Sequence, residues 1–186
     1  MRKIVWKGLL YKSWENCRIE KKNDAFYVES TIIGNYMNRV YNVNYILKID
    51  KNWCIQEFEI KTEIDGQGNV VVGTKSEGQW SINGMLRAEF NEFLYIDISV
   101  TPFTNTLPIN NLLLNIGQSA YIDVVYINIL ENEIKPAKQL YSRKKKDEYL
   151  YDNLDTEFSS SITVDQKGIV KSYPGLFELV LEGREN

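Results

Sequence analysis

The chain has 186 residues, 44% hydrophobic and 25% charged, with a net charge of −3. Length predicts a single domain, residues 1–186, able to stand on its own core without a disulfide or metal staple. The near-neutral balance speaks against a nucleic-acid binder, which carries a basic field. The absence of histidine removes the commonest general base, the commonest metal ligand and every Ser–His or Cys–His nucleophile pair.

The segment Met1 to Lys7 has a basic start but lacks the apolar stretch and small-residue cleavage site of an export signal. No window approaches the roughly 18 apolar residues of a spanning helix. The expectation is a cytoplasmic protein with Cys17 and Cys54 reduced on half-buried strands; the spacing leaves a disulfide between them open. Asn23-Asp24 is a turn candidate. From Val40 to Ile49 apolar and polar residues alternate, with Tyr41, Val43, Tyr45, Leu47 and Ile49 on one face. Asp50-Lys51-Asn52 turns the chain into a second strand from Trp53 to Lys61. Glu57 and Glu59 share one face of it, which reads as solvent-exposed. Asp65-Gly66 and Asn83-Gly84 are hairpin dipeptides.

Trp80 sits in an otherwise small and polar segment, so it is either core or the cap of a cavity mouth. Leu94, Ile96, Ile98 and Val100 form an apolar face, with Phe93, Tyr95, Asp97 and Ser99 opposite. A carboxylate among aromatic rings needs an arginine or several donors, so Arg18 and Arg143 are candidate partners of Asp97. Asp97 reads as a structural ion-pair member or as a ligand-orienting group.

Thr101-Pro102-Phe103-Thr104-Asn105-Thr106-Leu107-Pro108-Ile109 is the most distinctive run. Two prolines fix φ and remove two donors, so it is neither a central strand nor a helix interior. It is predicted to close one end of a hollow, with Phe103 inward and Asn105 bonded to backbone. A short helix is expected over 107–116, capped by Asn105 or Thr106, with Pro108 in its first turn.

Tyr121 to Ile129 reads as a strand buried on both faces. Arg143 to Glu148 fits a charged hairpin tip, Phe158 to Asp165 alternates, and Asp165 to Gly168 is a turn. The 12 tyrosines and 4 tryptophans favour pleated surfaces. Many short strands without intervening helices predict an all-β domain, a single strongly curved antiparallel sheet with at most one or two short helices. No GxGxxG, GxxxxGK[ST] or GxSxG motif occurs, and Ser159-Ser160-Ser161 has no nearby base.

With Trp6, Cys17-Arg18-Ile19-Glu20, Tyr141-Ser142-Arg143 and Tyr173-Pro174-Gly175-Leu176-Phe177, the proline-bounded run resembles the bacterial family described as "putative glycolipid-binding". The resemblance runs from Trp6 to Phe177. It departs near Cys17, where members carry a histidine and this chain has Asn16. It implies a spiral β-roll similar to bacterial lipoprotein carriers, wrapped round an apolar interior that holds a lipid or glycolipid, with no cofactor. Those carriers are periplasmic, whereas no export signal is seen here. Arg18, Trp80, Tyr95, Asp97, Phe103, Thr104, Asn105, Tyr141, Arg143 and Tyr173 are the candidate ligand-binding residues. Two other readings stand beside it. One is a histidine-independent enzyme using Asp97 with Arg18 or Arg143. The other is a scaffold, monomeric or dimeric, pairing through a sheet edge.

Overall fold

The computed structural model describes residues 1–184. Among them the chain forms β1 (Arg2–Gly8), β2 (Ser13–Lys22), β3 (Ala25–Tyr36), β4 (Arg39–Asp50), β5 (Ile55–Ile64), β6 (Gln67–Ser76), β7 (Gln79–Ile82) and β8 (Met85–Leu86). After β9 (Tyr95–Ile98) come a 3₁₀ turn (Phe103–Asn105) and the helix α1 (Thr106–Leu112). The chain returns through β10 (Ser119–Asn128), β11 (Glu133–Lys145), β12 (Glu148–Asn153), β13 (Phe158–Val164), β14 (Val170–Tyr173) and β15 (Phe177–Arg184).

Turn chemistry sets the hairpins. Met37-Asn38, Asp65-Gly66 and Asn83-Gly84 all have positive φ at both positions. That is the two-residue turn whose twist matches the flanking strands. The Asp65 side chain also accepts from the Val40 amide at 3.0 Å, and Asn83 from that of Val72 at 2.9 Å.

The 15 strands form one sheet in the order β8-β7-β6-β5-β4-β3-β2-β1-β15-β14-β13-β12-β11-β10-β9. Every neighbouring pair is antiparallel except β9 and β10, which run parallel. The first and last strands meet in mid-sheet, and the two arms curl away from that seam. Trp6 on β1 reaches past β15, its indole N–H donating to the Val170 carbonyl at 2.8 Å. The arms meet again on the far side. Asn69 donates to Asn132 at 2.7 Å, and Ile60 and Val71 face Ile127 and Ile134.

Alternation along the strands puts one face inward. Tyr41, Val43, Tyr45, Leu47 and Ile49 are all buried, as the pattern predicts. Glu57 and Glu59 lie on the outer face and pair with Lys48 and Lys61 at 2.5 and 2.6 Å.

Three expectations need correction. Trp53 is in a turn with φ of 65°, its ring stacked on Phe26, and the strand begins at Ile55. Cys54 accordingly lies outside a strand. The strand at 119–128 is buried on both faces only in its second half, because Tyr121 and Asp123 face solvent. Neither Asn105 nor Thr106 caps α1 through its side chain. No helix among the described residues is long and apolar enough to cross a membrane.

Candidate functional site

Every residue from Thr101 to Ile109 is buried. The segment is packed inside the hollow between the two arms of the sheet. It is held to β2 and β4 on one wall and β11 on the other. Thr101 donates from Oγ1 to Glu15 Oε1 at 2.9 Å and accepts from the Phe103 amide at 3.1 Å. The Pro102 carbonyl accepts from the Asn105 side-chain amide at 3.3 Å. The Asn105 oxygen receives the Tyr141 phenol at 2.7 Å. Farther along, Asn110 donates to the Lys167 carbonyl at 3.0 Å and Asn111 to that of Asn52 at 2.7 Å. Phe103 is fully buried among these anchors.

The segment leaves part of the hollow open. A cavity of about 720 Å³ lies between it, the β1–β2 turn and the returning strands β9 to β14. That volume lies within the few hundred to about 1,000 Å³ of small-molecule sites. Rings dominate its wall: Tyr11, Tyr36, Tyr126, Tyr151, Tyr173 and Phe177. Several pack on one another, with centroids of Tyr151 and Tyr173 at 5.9 Å and of Tyr173 and Phe177 at 6.2 Å. Amides of Asn105, Asn128 and Asn153 supply hydrogen-bonding groups, and Lys135, Asp155 and Thr156 lie on the exposed rim.

Asp97 lies in this wall. Its two oxygens accept from Thr104 Oγ1 at 3.2 Å and from the Gln139 amide at 2.6 Å. Burial pushes its carboxyl above the usual carboxylate range, and these two donors pull it back. Its field is felt in turn by the rings. Burial and then Asp97 raise Tyr126 to about 12 and push Tyr151 higher still.

Behind Thr101 lies a second carboxyl. Glu15 is buried, and its Oε1 accepts from Tyr45 at 2.6 Å, Ser30 at 2.7 Å and Thr101 at 2.9 Å, while Oε2 has no partner. Burial pushes it up to about 7 against those three bonds. Beside it Cys17 is sealed in the core, and burial followed by the Glu15 charge raises its thiol. Glu15 shares the inward face of β2 with Cys17 and Ile19, so strict alternation through Ser13 to Ile19 carried its signal.

Of the ten candidates, Asp97, Asn105 and Tyr173 line the cavity. Thr104 and Tyr141 sit one hydrogen bond behind it. Phe103 is core. Trp80 is also core, not a cap, with its indole N–H on the Phe93 carbonyl at 3.1 Å. Tyr95 bonds to Asn111, away from the cavity.

The arginine partnerships fail. Arg18 points outward from β2, one residue out of phase with Cys17. Arg143 donates to the carbonyls of Leu114 at 2.7 Å, Lys146 at 2.6 Å and Lys145 at 3.3 Å, and lies over the Tyr149 ring. It folds the 143–148 hairpin against the end of α1 and lines a separate surface groove. Neutral donors take the place of arginine at Asp97. Gln139, Tyr11, Tyr126 and Tyr151 were not singled out in the sequence: Tyr126 stands opposite Asp97 on β10, Gln139 and Tyr151 come from β11 and β12 of the same arm, and Tyr11 comes from the β1–β2 turn, all far from Asp97 along the chain.

No curated protein matches this sequence. Two solved structures are similar. A DUF1089 family protein from Pseudomonas aeruginosa is 32% identical, with 89% of this chain and 91% of that chain covered at a TM-score of 0.80. A β-barrel-like protein of domain of unknown function DUF1849 from Brucella abortus is 12% identical over 97% and 95% of the two chains, at a TM-score of 0.53. The second likeness is one of fold alone. A family model described as "Putative glycolipid-binding" matches residues 3–178, and with the plugged β-roll and its aromatic cavity in place the chain belongs to that family.

Proposed function

We propose that this protein binds an amphipathic small molecule, a glycolipid or related lipid, with the polar end of the ligand in the aromatic cavity, and holds it without catalysis. The carrying observation is the cavity itself: about 720 Å³ of space walled by rings, with amides and the Asp97 carboxylate placed among them and Asp155 on the rim. Rings offer flat apolar faces to sugar or alkyl carbon, and amides and Asp97 orient the polar groups. The family name supports the ligand class.

A wholly aliphatic tail has less to gain there. Leu10, Ile98, Ala137 and Leu176 are the aliphatic lining, and the inward space a tail would otherwise fill holds residues 101–109. The acid–base alternative lacks its geometry, since Arg18 and Arg143 do not share a cavity with Asp97. The edge-pairing alternative has little edge to use. The outermost strands are β8, with two residues, and β9, with four.

Native mass spectrometry of protein purified from cells, followed by extraction and analysis of any retained lipid, tests the reading. A co-purifying amphiphile, or a thermal shift with short-chain glycolipids, is the expected result. Ligand-free protein that no lipid or glycolipid stabilises overturns it.

A further inference from the structure

We infer that the ligand group entering this cavity is an organic ammonium, seated between the Asp97 carboxylate and the tyrosine faces. This deepens the binding reading and rests on it.

Asp97 is the charged group set deepest in the wall. Among the described residues its hydrogen-bond partners are Thr104 and Gln139, both neutral, and no cation pairs with it. A carboxylate removed from water without a counter-charge is costly, and a hydroxyl ligand leaves that charge uncompensated. Lys135 does not serve. It stands on the exposed rim and pairs with Glu133 at 2.7 Å. The rings add to the carboxylate's field, because an aromatic face carries the negative end of its quadrupole. Tyr126, Tyr151 and Tyr173 line the same cavity as Asp97, whose charge raises their phenols, behind burial and, at Tyr173, behind Tyr151 as well. A carboxylate and several aromatic rings around one space attract the same kind of guest. They repel a phosphate or carboxylate head.

Two sources supply this chemistry: an amino sugar, and a quaternary ammonium of the choline type. Calorimetric titration of the full chain separates them. Choline is compared with its neutral tert-butyl isostere, in which carbon replaces nitrogen, and glucosamine with glucose. Octyl glucoside serves as a neutral amphiphile.

A preference of about tenfold for at least one ammonium over its neutral partner is expected, as for a cation on a desolvated ring. The same preference should vanish in Asp97→Asn. The wild-type comparison stands alone if that variant does not fold. Octyl glucoside binding without any ammonium preference overturns this inference and leaves the binding reading intact. Preference for an ammonium that survives in a folded Asp97→Asn protein also overturns it. If neither ammonium binds, this inference falls; the binding reading falls with it only when no lipid or glycolipid stabilises the protein either.

Discussion

The Tyr141 phenol on β11 donates to the Asn105 side chain at 2.7 Å, joining the returning arm of the sheet to the segment packed inside its hollow. Asn105 passes the restraint to the Pro102 carbonyl, so one amide closes both a turn and a tertiary contact. Both residues are buried, and removing either leaves a polar atom without a partner. Tyr141→Phe and Asn105→Ala are each expected to cost about 1–3 kcal/mol, as measured by urea unfolding. The double variant should lose less than the sum, since the two share one bond. Full additivity would show that the bond does not couple them.

Phe103 fills the middle of the plug and is fully buried. Phe103→Ala should destabilise by roughly 3–5 kcal/mol. Phe103→Leu, which keeps much of the volume, should recover most of that loss. A melting temperature unmoved by Phe103→Ala would mean that the ring does not pack as described.

Glu15 gives the fold a pH dependence of definite sign. Its carboxyl holds its proton more tightly folded, to about 7, than at its ordinary value of 4.5. The contribution is therefore fully present below 4.5 and is lost as pH rises to about 7. The loss is roughly 3 kcal/mol. Asp97 is shifted in the same direction, so the readout is the difference between proteins. Chemical denaturation from about pH 5 to about pH 8 should show the wild type losing stability more steeply than Glu15→Gln. Parallel curves would contradict a buried Glu15 whose Oε2 has no partner.

Gly73 on β6 faces the Phe58 ring on β5, and a Cβ there would lie 2.1 Å from the ring edge. Phe58 also packs on Trp80, with centroids 5.8 Å apart, so it has little room to withdraw. Gly73→Ala should cost about 1–3 kcal/mol through overpacking. Pairing it with Phe58→Leu should relieve part of that cost. Gly183, with nothing near its would-be Cβ, is a control position expected to tolerate alanine.

The two thiols should differ in access. Cys17 is sealed in the core, while Cys54 is half-buried in the β4–β5 turn. Brief alkylation of native protein, read by mass spectrometry, should label Cys54 first. Cys17 should label only with global unfolding. Equal rates would sink this ordering.

Sequence pattern carried the strands well where one face is buried and the turn is short. From Tyr41 to Ile49 burial alternates at every residue, with exposed Ile46 the one apolar side chain on the outer face, and Asp65-Gly66 and Asn83-Gly84 supply the left-handed residues their turns require. It failed at Trp53, whose aromatic character suggested strand but whose ring is placed by Phe26 while its backbone turns. Site residues divide along the same line. Asp97 and Asn105 stood out because an unusual residue sits in an apolar or proline-bounded run. Gln139, the partner of Asp97, did not, because it is an ordinary strand residue brought in from 42 positions away; Tyr141 was named through the family resemblance, not through its bond to Asn105. The misassigned arginines show the limit from the other side. Charge complementarity suggested Arg18, but strand periodicity already turned it outward.

The seam between β1 and β15 joins the two arms, and its register pairs Arg2 with Arg184 and Gly8 with Phe177. The strand ends farthest along the chain thus lie side by side. A force applied across them peels the seam one hydrogen bond at a time instead of shearing the whole ladder together, because antiparallel bonds lie perpendicular to the strands. The line that joins the two arms in mid-sheet can therefore be opened from this end at low force. Tension applied at residues 2 and 184 should open the protein at lower force than tension across β3 and β4, drawn lengthwise.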